Sequence, residues 1–314
     1  MRFVGGMLAA LSLSGIPLMT PGSAPAIAVG GCPAGHVVTT AAQLTAALAA
    51  ARPGAVIDLA GGTYTGSFTT TVSGTQAAPI TLCGPANAII SGSSKSHILY
   101  LDGASWWHLT GFQITHGNKG LTLAHASHNT VSGLSIHGTT GAAVHVNSFS
   151  SDNVFNHVTI RSSGAEGFYI GSARKNWCYY SGCQPDKSDH NVIENSNVAG
   201  TVSDSIDLKE GTTGGRILDN QLNGAGSTAK DWIDVKGNGY VISGNVGVSS
   251  PEDGFTVHVI LPGWGQHNVF SGNVATVDGP GYGFYVQPGA VGNTVDCGQT
   301  VTGAASGYSN VACT

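Results

Sequence analysis

The sequence predicts an all-β fold, a parallel solenoid whose short strands stack coil upon coil behind a short N-terminal capping helix. Three observations predict it. A short segment of alternating apolar and polar residues closed by a turn signal returns through most of the chain: HLTGFQI at His108, TVSGLSI at Thr130, VFNHVTI at Val154, VIENSNV at Val192, ILDNQLN at Ile217, VISGNVG at Val241 and VFSGNVA at Val269. Successive starts lie 22, 24, 38, 25, 24 and 28 residues apart, with no helical spacing between them. Gly numbers 47 in 314 residues while only 9% are charged, so the surface must be built largely from Ser, Thr, Asn and Gly. Leucine-rich repeats share this period but need Leu at several fixed positions, and propeller blades need roughly 40 residues. What remains is a parallel β-helix, with two or three short strands per coil and coils about 4.8 Å apart.

The elements follow in chain order. Arg2, an apolar run from Phe3 to about Met19 and then Ala26-Ile27-Ala28 read as a secretory signal with an A-x-A cleavage site, so residues 1–28 are expected to be a signal peptide and 29–314 a single β-helix domain. Pro17, Pro21 and Pro25 speak against a buried N-terminal helix. All six cysteines follow that site, as suits an oxidising compartment and a secreted protein. Proximity suggests Cys178 with Cys183 and Cys297 with Cys313, which leaves Cys32 with Cys83, among the fifteen pairings that six cysteines allow. No Cys-x-x-Cys or His-x-x-x-His spacing supports zinc. An amphipathic helix is expected from about Ala41 to Ala51, capping the open end of the solenoid, and a first strand over Ala55 to Leu59. Asn129, Asn153, Asn191, Asn195, Asn220, Asn245 and Asn273 read as turn residues that tolerate left-handed backbone and bond to the next coil. A net charge of −5 leaves no basic footprint for nucleic acid, and beyond the first 30 residues no apolar run is long enough for a membrane. A monomer is expected.

The segment Gln43-Leu44, Ala47-Leu48, Pro53-Gly54, Ile57, Leu59-Ala60-Gly61-Gly62-Thr63-Tyr64 and then Ala78-Pro79-Ile80-Thr81-Leu82 resembles the start of right-handed parallel β-helix proteins of the pectate-lyase-like superfamily. Within it the chain is most similar to the polysaccharide lyases that include alginate lyase, chondroitinase B and the larger pectate lyases. The resemblance implies the architecture of nearly the whole mature chain, but it does not name a substrate.

Between consecutive repeats lies a further strand: GFYIG at 167–171, SIDLK at 205–209, WIDVK at 232–236, GFTVH at 254–258 and GFYVQ at 283–287. With Phe168/Ile170, Ile206/Leu208, Ile233/Val235, Phe255/Val257 and Phe284/Val286 inward, the residues between point outward. One outward column then reads Tyr169, Asp207, Asp234, Thr256, Tyr285; the next reads Gly171, Lys209, Lys236, His258, Gln287; the strand edge reads Glu166, Asp204, Asp231, Asp253, Tyr282. The preceding coil adds His145 and Asn147.

A chain so poor in charge that stacks carboxylates one coil apart calls for a counter-ion, because like charges directly opposite destabilise a ladder. Converging carboxylates make a hard oxygen site suited to Ca²⁺. Two stacked lysines disfavour each other's charge, which makes a neutral amine accessible as a base. β-Elimination from a uronic acid needs a cation on the carboxylate, a base for the C5 proton and a donor for the leaving oxygen. The similar lyases use Ca²⁺ and a Lys or Arg base. That implies Asp204, Asp207, Asp231 and Asp234, with Glu166 and Asp253 beside them, as metal ligands. It also implies Lys236 or Lys209 as base, Lys236 being favoured because Lys209 and His258 flank it, and His258 as acid. The chain departs from those families in lacking the full acidic signature of the larger pectate lyases and the close Lys and Arg pair of the alginate and chondroitin enzymes. The insertion GSARKNWCYYSGCQPDKSDH, with Glu210 to Gly215 and Leu261 to Gln266, is expected to wall this face. Trp177, Tyr179, Tyr180 and Trp264 would stack on sugars or else pin the loop, Arg174 and Lys175 would meet carboxylates, and His145 and Tyr169 would line the site. The expected partner is an acidic polysaccharide. Two alternatives compete: a glycoside hydrolase using Asp207 and Asp234, though the polygalacturonase signatures are absent, and a non-catalytic carbohydrate-binding solenoid.

Overall fold

A computed structural model describes residues 32–92 and 97–314; the expected signal peptide lies outside them. Among the described residues the chain winds through three parallel sheets of 11, 10 and 10 strands. Each coil visits sheet 1, then sheet 2, then sheet 3. The recurring sequence segment is therefore a sheet 1 strand, a turn and a sheet 2 strand, as in Val154–Asn156 followed by Thr159–Ser163. The charged strands are the third of each coil.

Inward residues form one continuous core. Phe168, Ile170, Ile206, Leu208, Ile233, Val235, Phe255 and Val257 are fully buried, each worth about 1.5–3 kcal/mol relative to exposure. Helix α1 (Ala41–Ala50) starts where the Thr40 hydroxyl accepts the Gln43 N–H, and it lays Leu44 and Leu48 over the first coils. The first strand of that region is Val56–Leu59, close to the expected bounds. The three disulfides are Cys32–Cys83, Cys178–Cys183 and Cys297–Cys313.

The asparagines divide differently from expectation. Asn129, Asn153 and Asn191 form one buried amide ladder, each Nδ2 donating 2.9 Å to the next Oδ1, and Asn220, Asn245 and Asn273 form a second. The left-handed residue is the one before the asparagine, at His128, Asp152, His190, Asp219, Gly244 and Gly272, because the amide itself must point inward between coils. Asn195 is the exception, with φ 51° and an exposed bond to Asn156.

Candidate active site

Sheet 3 places the predicted columns in direct register. His145 pairs with Tyr169, Tyr169 with Asp207, Asp207 with Asp234, Asp234 with Thr256 and Thr256 with Tyr285. The period of 2 along each strand sends these side chains out of the core, yet the flanking loops bury the middle of the column. Asp207 is 2% exposed, Asp234 7% and Lys236 8%.

A chain of ion pairs crosses this buried centre. Asp207 Oδ2 lies 2.5 Å from Lys209 Nζ and Oδ1 lies 2.8 Å from Lys236 Nζ. Lys236 also contacts Asp234 Oδ2, and Asp234 Oδ1 lies 2.7 Å from His258 Nδ1. Burial pulls Lys236 down, but the carboxylates of Asp207 and Asp234 outweigh it and hold the ammonium well above the ordinary lysine range. The expectation that stacking frees a neutral amine at Lys236 is therefore corrected: a carboxylate stands between the two lysines. Asp234 responds in the opposite sense, with burial pushing it up and Lys236 and His258 drawing it down to about 2.

Asp204 and Asp231 belong to the same acidic cluster, and burial together with the neighbouring carboxylates favours the protonated form of each. Burial first, then Asp207 and Asp234, raises Asp204 to about 7; burial, then Asp234 and Asp204, raises Asp231 well above the carboxylate range. Oδ1 of Asp231 has no hydrogen-bond partner. Asp204, Asp207 and Asp234, and likewise Asp231, Asp234 and His258, offer donor atoms within 4.8 Å of one another, so the acidic cluster could hold a metal ion. Of the other predicted ligands, Asp253 turns away to accept the Tyr282 N–H, and Glu166 stays beside the cluster with its carboxyl raised by burial.

The rim is built from Tyr169, Tyr180 and Lys209. Lys209 Nζ lies 4.9 Å from the Tyr169 ring centroid. Burial, then Asp207 and Glu166, raises the Tyr169 phenol, so it keeps its proton. His145 is buried with its ring edge-on to Tyr169 at 4.8 Å and to Tyr180 at 5.6 Å, and burial with Lys119 lowers it well below the ordinary histidine range. Gly171 keeps the column open: it has φ +82°, and a Cβ there would stand 2.5 Å from Thr212 and 3.2 Å from Lys209.

The insertion walls the site through anchors that the sequence did not single out. Glu210 accepts the Arg174 N–H at 2.7 Å, while Asp186 accepts the Ser148 and Phe149 N–H groups. Trp177 is buried, its indole donating to the Ser172 carbonyl at 2.9 Å, so it pins the loop and offers no face to a sugar. Arg174 and Tyr179 are exposed, Tyr179 at 83%. Trp264 is half-buried in the loop whose next residue, Gly265, donates its N–H to the Lys236 carbonyl. His258 lies with Tyr282, Tyr285 and Gln287 along a cleft of about 360 Å³ toward the C-terminal coils. Lys119, His97 and Tyr100 also lie on this face and were not among the predicted site residues; Lys119 occupies the same edge column as Glu166 and Asp204, two coils before Glu166, and that repeat is its sequence signal.

Stacked coils with lysines and carboxylates sunk in one sheet under a rim of tyrosines define the class: a parallel β-helix protein built like the polysaccharide lyases. The chain matches the crystal structure of an alginate lyase from Paenibacillus sp. str. FPU-7 with a TM-score of 0.78 and 33% identity, over 87% of this chain and 97% of that one. The chain belongs to the family of that enzyme and is a polysaccharide lyase. It shares the fold alone with pectate lyase Pel9A (TM-score 0.55, 20% identity, 80% of this chain and 72% of that one) and with PfbA, a surface adhesin of Streptococcus pneumoniae (0.58, 14%, 79% and 71%). No protein-family profile and no curated protein matches the chain. The hydrolase alternative also loses its acid and nucleophile, since Asp207 and Asp234 are both committed to lysines.

Proposed function

We propose that this protein is a secreted lyase that cleaves a uronic-acid polysaccharide by β-elimination, with Lys209 as the base and Tyr169 as the proton donor to the leaving oxygen. The observation that carries this is the arrangement of Lys209 against the Tyr169 ring, at the mouth of a buried ion-pair chain. Removing the C5 proton calls for an amine that can reach the substrate. Lys236 is tied to two carboxylates below the surface, whereas Lys209 has only the carboxylate the two lysines share. Tyr169, kept protonated by its surroundings, is suited to protonate the departing glycosidic oxygen. Lys236 fixes Asp207, and through it the position of Lys209. Three disulfides suit an oxidising, extracellular setting, and among the described residues no helix is long and apolar enough to cross a membrane.

Calcium fits the cluster in ligand type but not in free donors. Both oxygens of Asp207 and both of Asp234 are engaged by Lys209, Lys236 and His258. That leaves Asp204, Asp231 and Glu166, short of the roughly six to eight oxygens Ca²⁺ takes. No step is assigned to a metal, and the Lys236 ammonium occupies the position between carboxylates that a cation would take.

Alginate is the first substrate to try, because the enzyme at 33% identity is an alginate lyase. Incubation with polymannuronate, polyguluronate, polygalacturonate and chondroitin should raise ultraviolet absorbance from unsaturated ends on at least one. Lys209→Ala and Tyr169→Phe should each lower that rate by about 10²–10⁴-fold. Reducing ends released without absorbance would replace elimination with hydrolysis, and full activity in Lys209→Ala would remove its role as base.

A further inference from the structure

Three coils toward the N-terminus from Lys209, sheet 3 carries a cation without a counter-ion. Lys119 opens the strand Lys119–Ala124 and stands in register with His97. It is half-buried, and among the described residues no carboxylate lies within ion-pair distance of its Nζ, in contrast to Lys209, Lys230 and Lys236. Its ammonium donates instead to the Tyr180 hydroxyl at 3.2 Å. His97 lies alongside, stacked on Tyr100 with centroids 4.4 Å apart and bonded to Thr122 at 2.7 Å. Burial and then Lys119 lower both His97 and His145, so two neutral imidazoles face the charge and none of the three groups offsets it. Of the acids on this face, Asp102 accepts the Tyr100 hydroxyl five residues along the neighbouring strand from His97, and Glu166 stands two coils away in the same edge column.

A half-buried ammonium held among aromatic rings and neutral donors, with no acid of its own, is a site for an external anion. The position joins it to the reaction centre. Tyr180, which touches Lys119, also stands edge-on to His145, and His145 stands edge-on to Tyr169. Tyr180 belongs to helix α2 (Trp177–Tyr180), in the loop closed by Cys178–Cys183, so the roof of the anion site is tied down covalently.

We propose that Lys119, with His97 and Tyr180, binds the carboxylate of a second uronate residue of the same polymer, on the N-terminal side of the bond to be cleaved. The site rests on the uronate reading above for the identity of its ligand. It makes the protein select chains carrying carboxylates at two separated positions, since three coils of about 4.8 Å along the axis and five residues of about 3.3 Å along the strands put the backbones of the two lysines roughly 20 Å apart on the sheet.

Binding tests the site apart from the chemistry. Uronate oligomers of two to eight residues are titrated calorimetrically into the Lys209→Ala protein, with and without Lys119→Ala, and into Lys209→Ala carrying Lys119→Arg. The dissociation constant should fall sharply once the oligomer is long enough to reach Lys119. Lys119→Ala should abolish that step, weakening the long oligomers about tenfold while leaving short ones unchanged, and Lys119→Arg should restore most of it. Equal weakening at every length, or no weakening, would overturn the proposal. Circular dichroism of each variant separates these results from misfolding. Length-dependent binding by a wild-type protein that cleaves no uronate polymer would leave this site standing and remove the lyase reading of its substrate; absence of all binding would remove both.

Discussion

Replacing Lys236 with Met tests whether the buried ammonium is an electrostatic keystone. The substitution keeps the side-chain length and leaves Asp207 and Asp234, 2% and 7% exposed, without their shared cation. Removing one partner of a buried ion pair typically costs about 3–5 kcal/mol. An independent figure comes from Asp234, which is drawn from 3.8 to about 2 by Lys236 and His258 against the effect of burial. At 1.36 kcal/mol per pH unit that is on the order of 2–3 kcal/mol. Since Lys209 and His258 remain, a loss of about 3 kcal/mol is expected, roughly 5–10 °C in melting temperature for a domain of this size. Thermal melts followed by circular dichroism at pH 7 give the number. The pH course follows from the sign of the shift. A carboxyl whose folded pKa lies below its unfolded value stabilises above about pH 4 and loses that contribution as pH falls through 2. The deficit of Lys236→Met should therefore shrink between pH 4 and pH 2. Adding Asp234→Asn should recover part of the lost stability, because it removes the charge left unpaired. A single variant within 1 kcal/mol of wild type at pH 7, or a double variant less stable than the single, would refute the keystone role.

Asp204 has the opposite sign. Its folded pKa, about 7, lies above its ordinary 3.8, so keeping it charged in the fold carries a penalty that is absent below about pH 4 and grows as pH rises to 7. Asp204→Asn should match wild type near pH 4 yet gain stability by pH 8, up to about 4 kcal/mol; a pH-independent difference in melting temperature would count against the raised Asp204 carboxyl. Asn153→Ala removes the acceptor of two Asn129 groups and the donor to Ala126 and Asn191, so urea unfolding should show a loss of about 2–3 kcal/mol, while exposed Asn195→Ala should change stability by less than about 0.5. Dialysis against a calcium chelator should leave the eliminase rate unchanged, because Lys236 already engages the carboxylates a metal would need; loss of activity restored by Ca²⁺ would reverse that assignment.

The architecture was legible because a solenoid converts sequence period directly into spatial register. Once Ile206/Leu208 and Ile233/Val235 are recognised as inward, Asp207 must lie opposite Asp234, and that is where the two stand. Proximity also sufficed for Cys178–Cys183 and Cys297–Cys313, 5 and 16 residues apart, and the remaining pair, Cys32–Cys83, followed from them. What the columns could not convey is depth and side-chain direction. Lys209 and Lys236 share a column, but their long side chains bend to opposite oxygens of Asp207, so a pair that reads as two repelling neighbours is bridged by an acid. Trp177 reads as a surface aromatic in an insertion, yet the loop folds over it, because Glu210 and Asp186 fasten both ends of the insertion to the coils. Outward-facing residues on a bare sheet are exposed; under such a loop the same residues are desolvated, which raises the carboxyls of Asp204 and Asp231, while Asp207 and Asp234 hold the charge on Lys236 against that desolvation. The ladder supplies the residue types, and the loop, whose sequence has no repeat to compare it with, turns them into a site. The base proposed above is accordingly the lysine at the edge of the loop's cover, Lys209, which keeps one carboxylate behind it and Tyr169 beside it.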